Sequence, residues 1–213
     1  NGGTTQEYAD KKLPRDLRDT ISSAGSFFGF YGVLSKAFQP TPFNPDELVQ
    51  RKGLKIYRKM VIDEQIKAAL AAKQYAVLST GYEVQLAHLP KGEDAEAAQE
   101  HKEFIEFVFQ EVKGGIESKL LSIMDALAFG FSASEKIYAG GDYGPYEGKW
   151  MLKDLLARPP EDIEFQLTAE GYLAENGVLQ FHREMPTQKF VLFAYNGKYG
   201  NPYADSDLRA AYR

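Results

Sequence analysis

The spacing of apolar residues changes from helical to strand-like near the middle of the chain. Between residues 46 and 129, apolar positions recur every three or four residues, the period of one face of an α-helix. Residues 82–86 instead alternate between polar and apolar side chains, so we expect a strand there. The predicted helices are one or two within residues 45–75, one from about 94 to 112, and one from 116 to about 129.

Beyond Gly130, short alternating segments separated by turn residues replace the helical period. Asn176-Gly177 is a strong signal for a β-hairpin turn, and Asn196-Gly197 indicates a second turn. The predicted strands are residues 133–138, 149–153, 163–168, 178–182 and 189–195. A helical first half and a β-rich second half predict an α+β fold, with helices covering one side of a mostly antiparallel sheet.

Residues 1–45 have the composition of an extended arm. They contain the segment SFFGFYG and then three prolines, at Pro40, Pro42 and Pro45. Exposing all of its large aromatic side chains would cost roughly 1.5 to 3 kcal/mol for each one. We therefore expect the arm to pack against either its own domain or a neighbouring copy, through Phe27, Phe28, Phe30 and Tyr31.

Composition and charge exclude several classes of protein. The 213 residues are 44% hydrophobic and 26% charged, which excludes disorder throughout. The net charge of −5 argues against a surface that binds nucleic acid phosphates tightly, because such a surface needs clustered lysine and arginine. Without cysteine, neither a disulfide nor a thiolate metal site can form, which fits a reducing cytoplasm. The longest apolar run is far shorter than the roughly 20 residues that span a bilayer.

The sequence contains no convincing catalytic, cofactor or metal motif. Residues 130–134, GFSAS, resemble a nucleophile elbow, but Ser134 replaces the last glycine and the order is helix then strand, the reverse of that motif. Lys149 follows Gly148 without the other residues of a phosphate-binding loop. The histidines lack partners at three- or four-residue spacing: His88, His101 and His182. We therefore predict a structural or assembly protein without enzymatic activity.

Several stretches, in this order, resemble the portal proteins of tailed bacteriophages, especially the branch similar to the portal of phage Mu. Together they cover roughly residues 53–213. They are GLKIYRKMVIDEQIKAAL with the following GYEVQLA, DALAFGFSASEKIY, KWMLKDLLARPPEDIEFQLTAEG, PTQKFVLFAY, and YGNPYADSDLRAAYR. The matching portion of such portals is the wing, the outer part of a ring.

The last of these stretches carries the motif residues that we single out. The family usually has glycine where this chain has Ala204, which leaves only the exact turn type in question. Asn201-Pro202 predicts a turn, and a helix is expected to begin near Ser206. The motif residues are Gly200, Asn201, Pro202, Tyr203, Leu208 and Arg209.

The resemblance also predicts how the chain is divided. Residues 1–45 would be the arm, residues 46–200 the wing domain, and residues 201–213 the start of a helix leading toward the stem. No signal for the end of that helix precedes Arg213, and the chain opens without methionine, so we expect a portion of a longer protein.

The resemblance implies a homo-oligomeric ring, commonly a dodecamer, at one capsid vertex of the virion. Double-stranded DNA would pass through it during packaging and ejection, without sequence-specific binding. The implied partners are the major capsid protein, scaffold protein, terminase, and neck and tail proteins, with assembly in the host cytoplasm and no contact with a membrane. The arm aromatics would contact an adjacent subunit or the capsid protein, and folding back onto their own chain is the alternative.

The sequence is also compatible with other functions. The chief rival is a ligand- or glycan-binding α+β module, or a hydrolase whose active residues lie outside this sequence. The portal of a gene transfer agent or of a defective prophage would use the same ring.

Overall fold

The computed structural model describes residues 44, 46–86, 93–141, 143–168, 171–181, 183–198 and 200–212. The helices in this part of the chain are α1 (Glu47–Lys52), α2 (Lys55–Met60), α3 (Glu64–Leu78), α4 (Glu93–Glu111), α5 (Ile116–Ile123), α6 (Ala126–Phe129) and α7 (Leu208–Ala211). The strands are β1 (Phe131–Gly140), β2 (Trp150–Arg158), β3 (Ile163–Leu167), β4 (Leu173–Gln180), β5 (Arg183–Met185) and β6 (Phe190–Ala194), with 3-10 turns at Pro160–Asp162 and Thr187–Lys189.

Three helices occupy the region in which one or two were expected. Gly53, at a φ of 69°, ends α1, because this left-handed conformation interrupts the helix and suits glycine. The carboxylate of Asp63 then starts α3 by accepting hydrogen bonds from the backbone N–H groups of Gln65 and Ile66, at 3.0 and 3.1 Å.

The strand expected at residues 82–86 does not form. The segment has no regular secondary structure and pairs with no strand among the described residues. Tyr82 packs its ring edge-on against Phe109 at 5.9 Å, but Tyr82 and Leu86 are both exposed. Alternation produces a strand only where a sheet edge is available to complete its hydrogen bonds.

The helix predicted for residues 116–129 is two helices. The first ends at Ile123, and the second, α6, runs from Ala126 to Phe129, with Met124 and Asp125 between them. Gly130 then closes α6 at a φ of 89° and leads directly into β1. The predicted end of the helical half is therefore confirmed, while its last helix is broken.

The strands form two three-stranded antiparallel sheets. Sheet A has the order β2-β1-β6 and sheet B the order β3-β4-β5. The long β1–β2 pair runs from Ala133 opposite Arg158 to Gly140 opposite Trp150, with a shift of register between Ile137 and Tyr138. Helices with antiparallel sheets make this an α+β fold, as predicted, although the strands are divided between two small sheets.

The hairpin turn predicted at Asn176-Gly177 is wrong, although the two flanking strands do pair. The chain reverses instead between β3 and β4, where the Thr168 N–H donates to the Tyr172 carbonyl at 2.7 Å. Asn176 and Gly177 lie within β4, in a bulge between the pairs Phe165–Val178 and Leu167–Leu173. A Cβ on Gly177 would lie 2.7 Å from the carbonyl oxygens of Ala174 and Gln166, so glycine is needed for close packing there.

Buried apolar side chains form three clusters. The helical cluster joins α1, α2 and α3 to α6 and α7, and the sheet cluster lies between sheets A and B. The third cluster packs α4 on β2, through Val108, Val112 and Met151. The junction between the first two clusters falls at Phe129 and Phe131, which are both buried on either side of Gly130.

Candidate functional site at the junction of helices and sheets

Four of the six motif residues predicted from the sequence lie in the loop between β6 and α7, and the other two, Leu208 and Arg209, begin α7. Gly200 takes a φ of 70°, and the side-chain oxygen of Asn201 accepts a hydrogen bond from the N–H of Tyr203 at 3.0 Å. These contacts form the turn that Asn201-Pro202 predicts, and Pro202 is half-buried within it. The loop, residues 200–207, is called the junction loop below.

Tyr203 of the junction loop connects the two sheets. Its ring lies edge-on to Phe131 of sheet A and to Phe165 of sheet B, with centroid distances of 5.4 and 5.0 Å. Its hydroxyl accepts a hydrogen bond from the backbone N–H of Phe165 at 3.1 Å. Burial raises the pKa of Tyr203, so the phenol stays neutral in its apolar surroundings.

Ala204 follows in a left-handed conformation, with a φ of 49°, and is buried. This positive φ is a turn geometry that glycine adopts without steric cost, and here alanine adopts it. Directly beside it, a Cβ on Gly130 would lie 2.6 Å from the carbonyl oxygen of Tyr203. The junction loop therefore packs backbone to backbone against the turn between α6 and β1.

Ser206 connects the junction loop to the helices through hydrogen bonds. Its buried hydroxyl donates to the Ala128 carbonyl at 2.6 Å and accepts from the Leu208 N–H at 3.0 Å, which caps α7. The Asp207 N–H donates to the Leu127 carbonyl at 3.0 Å. The helix begins at Leu208, close to the predicted start.

The first residues of α7 enter the helical cluster. Leu208 is buried there, and Nε of Arg209 lies 3.2 Å from Oδ1 of Asp46. The buried carboxylate of Asp46 also accepts from the Leu48 N–H at 2.9 Å and from the hydroxyl of the fully buried Tyr57. Sequence reasoning missed this cluster, because Asp46 and Arg209 are far apart in the chain.

A second buried ion cluster crosses sheet A. Glu135 on β1 is buried, and its carboxylate accepts hydrogen bonds from Arg158, at the end of β2, and from Nζ of Lys189 at 2.5 Å. Burial alone would raise the pKa of Glu135, but the hydrogen bonds and charges of Lys189 and Arg158 outweigh burial and lower it below its ordinary value. The sequence signal that could have indicated this cluster is a charged residue, Glu135, within a predicted strand.

A third ion pair links the helices to the end of β2. Arg58 on α2 donates to both carboxylate oxygens of Glu161, at 2.5 and 2.7 Å, and lies over the ring of Phe129. The hydrogen bond from Arg58 is the main cause of the lowered pKa of Glu161. Burial raises the pKa of nearby Asp125, although the charge of Arg58 opposes the change.

The motifs that the sequence analysis rejected have structural roles in the described residues. Ser132 is buried and donates its hydroxyl to the Ile123 carbonyl at 2.7 Å. Lys149 lies 3.7 Å from Glu100 and over the Tyr146 ring. His101 is exposed on α4, and the described residues contain no cluster of three potential metal ligands. The other two histidines lie outside the part of the chain that the structure describes: His88 and His182.

Two further findings concern the rest of the chain. No helix among the described residues is both long and apolar enough to cross a membrane. The arm aromatics lie outside the described residues, so their predicted contacts stay predictions: Phe27, Phe28, Phe30 and Tyr31.

These contacts define an α+β domain in which the described polar motif residues serve internal packing. Residues 54–213, more than half of the chain, match the model of the family described as the portal protein of Mu bacteriophage, and the chain belongs to this family. The resemblance noted from the sequence is thereby confirmed. No curated protein matches the chain.

Proposed function

We propose that this chain is a subunit of a phage portal ring, a homo-oligomer of about twelve copies at one vertex of the capsid. Double-stranded DNA would pass through the ring during packaging and ejection without sequence-specific contacts. The observation that carries the proposal is the family match over residues 54–213. The acidic charge of the chain, −5, is compatible with a conduit that does not hold phosphates.

The partners that we propose follow from this place in the virion. The ring would assemble in the host cytoplasm with scaffold and major capsid protein, dock the terminase, and later bind neck and tail proteins. We propose a structural role without catalysis, in which ATP hydrolysis belongs to the terminase. The buried Ser132 hydroxyl supports this role, because it donates to a backbone carbonyl and is not available for nucleophilic attack.

The arm aromatics extend the proposal to contacts between subunits or with the capsid. We propose that Phe27, Phe28, Phe30 and Tyr31 pack on a neighbouring subunit or on capsid protein, because they are clustered and too apolar for water. Substituting the three phenylalanines with alanine should reduce either ring formation or incorporation into capsids. Lower thermal stability of the isolated subunit, with assembly unchanged, would instead show that the arm folds back on its own chain.

The ring itself is tested by the particle mass of the full chain. Mass photometry and negative-stain images of the purified protein should show rings of about a dozen subunits. A uniform population of monomers or dimers across the concentration range, with or without scaffold protein, would contradict the proposed function.

A further inference from the structure

The N-terminal half of α4 projects beyond its packing contacts. The C-terminal half is anchored on sheet A through Val108, Val112 and Met151, whereas seven of the nine residues from 95 to 103 are exposed. Most helical stability in proteins comes from packing of one face, and a half-helix without it is marginal in water. This half of α4 therefore needs a covering surface.

The exposed half of α4 carries a stripe of negative charge. Residues 95–103 contain three glutamates and one lysine, a net charge of −2 with histidine neutral. Glu96, Glu100 and Glu103 are all exposed, and their spacing of four and three places them on one helix face. We call these three residues the acidic stripe.

A positive surface lies on the first helices. Residues 51–67 contain six lysines and arginines and two acids, a net charge of +4. Lys59 and Lys67 are exposed and form no ion pair with any described residue, and Ile62, between them in the chain, is 77% exposed. We call the exposed cations of residues 51–67, with Ile62, the basic surface.

The two surfaces lie at opposite ends of the β1–β2 pair. Next to the acidic stripe, Phe104 packs on Tyr146 at 4.9 Å, and Tyr146 belongs to the connection from β1 to β2. Near the basic surface, Arg58 binds Glu161, three residues after β2 ends. The ten residues of β1 span about 33 Å, so the two surfaces are well separated.

We propose that the acidic stripe of one copy docks on the basic surface of the next copy. Two different, complementary surfaces on opposite ends of one chain produce a heterologous, head-to-tail contact, which closes into a ring when the rotation per subunit allows it. The contact covers the exposed half of α4 and Ile62, and gives acidic partners to Lys59 and Lys67, which form no ion pair with the described residues. This inference rests on the proposed ring and identifies its interface.

The inference is tested with the full chain and two charge-reversed variants. Glu96→Lys/Glu103→Lys changes the charge of the acidic stripe from −3 to +1, and Lys59→Glu/Lys67→Glu lowers the net charge of residues 51–67 from +4 to zero. Each variant alone should need at least about tenfold more protein to form rings, because the attraction between the two surfaces is lost. An equimolar mixture should restore rings in which the variants alternate, and a single chain with all four changes should also assemble.

The control is Glu175→Lys/Glu184→Lys, which reverses two exposed glutamates of sheet B and should leave assembly unchanged. Circular dichroism and thermal melts check that every variant is folded. If the equimolar mixture forms rings, each variant has lost its interface when alone and has not lost its fold. Rings from either two-residue variant alone, at wild-type concentration, would overturn this inference and leave the proposed function intact. Failure of the mixture to assemble would also overturn it, whereas a monomeric wild type would contradict both proposals.

Discussion

At position 204 the backbone adopts a left-handed conformation, although the residue is alanine. The φ of 49° brings its Cβ into steric conflict with its own backbone, at a cost of roughly 1–2 kcal/mol. The conformation is retained because the loop is held on both sides, by the Tyr203 ring and by the hydroxyl of Ser206. Tertiary contacts therefore impose the turn on a residue that disfavours it.

Replacing this alanine with glycine should stabilise the protein. Ala204→Gly removes the Cβ conflict but adds freedom to the unfolded chain, so we expect a net gain of about 0.5–1 kcal/mol. Chemical denaturation measures this change in the free energy of unfolding. The same change at Ala68, an exposed residue within α3, should cost about 0.5–1 kcal/mol. A loss of stability in Ala204→Gly would contradict the strain argument.

The buried carboxylate of Glu135 makes stability depend on pH. Its pKa is lower in the folded protein than the ordinary 4.5 of the unfolded chain, so ionised Glu135 contributes its full stabilisation above pH 4.5. That contribution is lost as the pH falls from there through the lowered folded-state pKa. Glu135→Gln should therefore cost about 1–3 kcal/mol at pH 7 and progressively less below pH 4.5.

Denaturation of wild type and Glu135→Gln between pH 7 and pH 3 checks this dependence. The exposed Glu184→Gln on β5 serves as the control and should follow the wild type throughout. A difference between wild type and Glu135→Gln that stays constant with pH would show that the ion cluster is not responsible.

At the scale of elements, the junction loop connects the helices with both sheets. Through Tyr203 it contacts both sheets, and through Ser206 and Asp207 it contacts the helices. A loop that joins three elements couples their stability, so one side chain in it affects both sheets.

Truncation of the connecting aromatic side chain should be costly. Tyr203→Ala removes a half-buried ring from between Phe131 and Phe165, and we expect a loss of about 2–4 kcal/mol. Tyr203→Phe, which removes only the acceptor of the Phe165 N–H, should cost about 1 kcal/mol. The exposed Tyr172→Ala should change stability by less than about 0.5 kcal/mol in the same thermal melts. Equal effects of Tyr203→Ala and Tyr172→Ala would exclude a connecting role.

At the scale of the whole molecule, charge is distributed unevenly along the chain. The net charge of −5 combines an acidic helix with a basic surface at the other end of the β1–β2 pair. Each copy therefore has an acidic end and a basic end, and copies in solution would align with opposite charges adjacent.

Ring formation should therefore weaken as salt increases. Screening shortens from about 10 Å at 0.1 M to about 3 Å at 1 M ionic strength, so the ring fraction of the wild type should fall across this range of sodium chloride. The Glu96→Lys/Glu103→Lys variant, in which like charges repel, should assemble better as salt rises. Mass photometry at fixed protein concentration measures both slopes, and identical slopes would contradict an electrostatic interface.

Local chemistry in the sequence determined the class of this fold and the positions of most elements. The change of period at Gly130 marks the end of the helices, because a glycine at positive φ stops a helix without steric cost. Capping residues such as Asp63 and Ser206 start helices through hydrogen bonds within three residues, so their effect is visible locally.

Only the tertiary structure decided what the polar residues do. Asn176-Gly177 has the composition of a hairpin turn but forms a bulge, because the close approach of Gln166 and Ala174 outweighs local turn preference. The ion pair between Asp46 and Arg209 joins residues that are distant along the chain, so no spacing in the sequence could indicate it. Periodicity records which face is buried, whereas the partner of a buried charge is determined by how the elements pack.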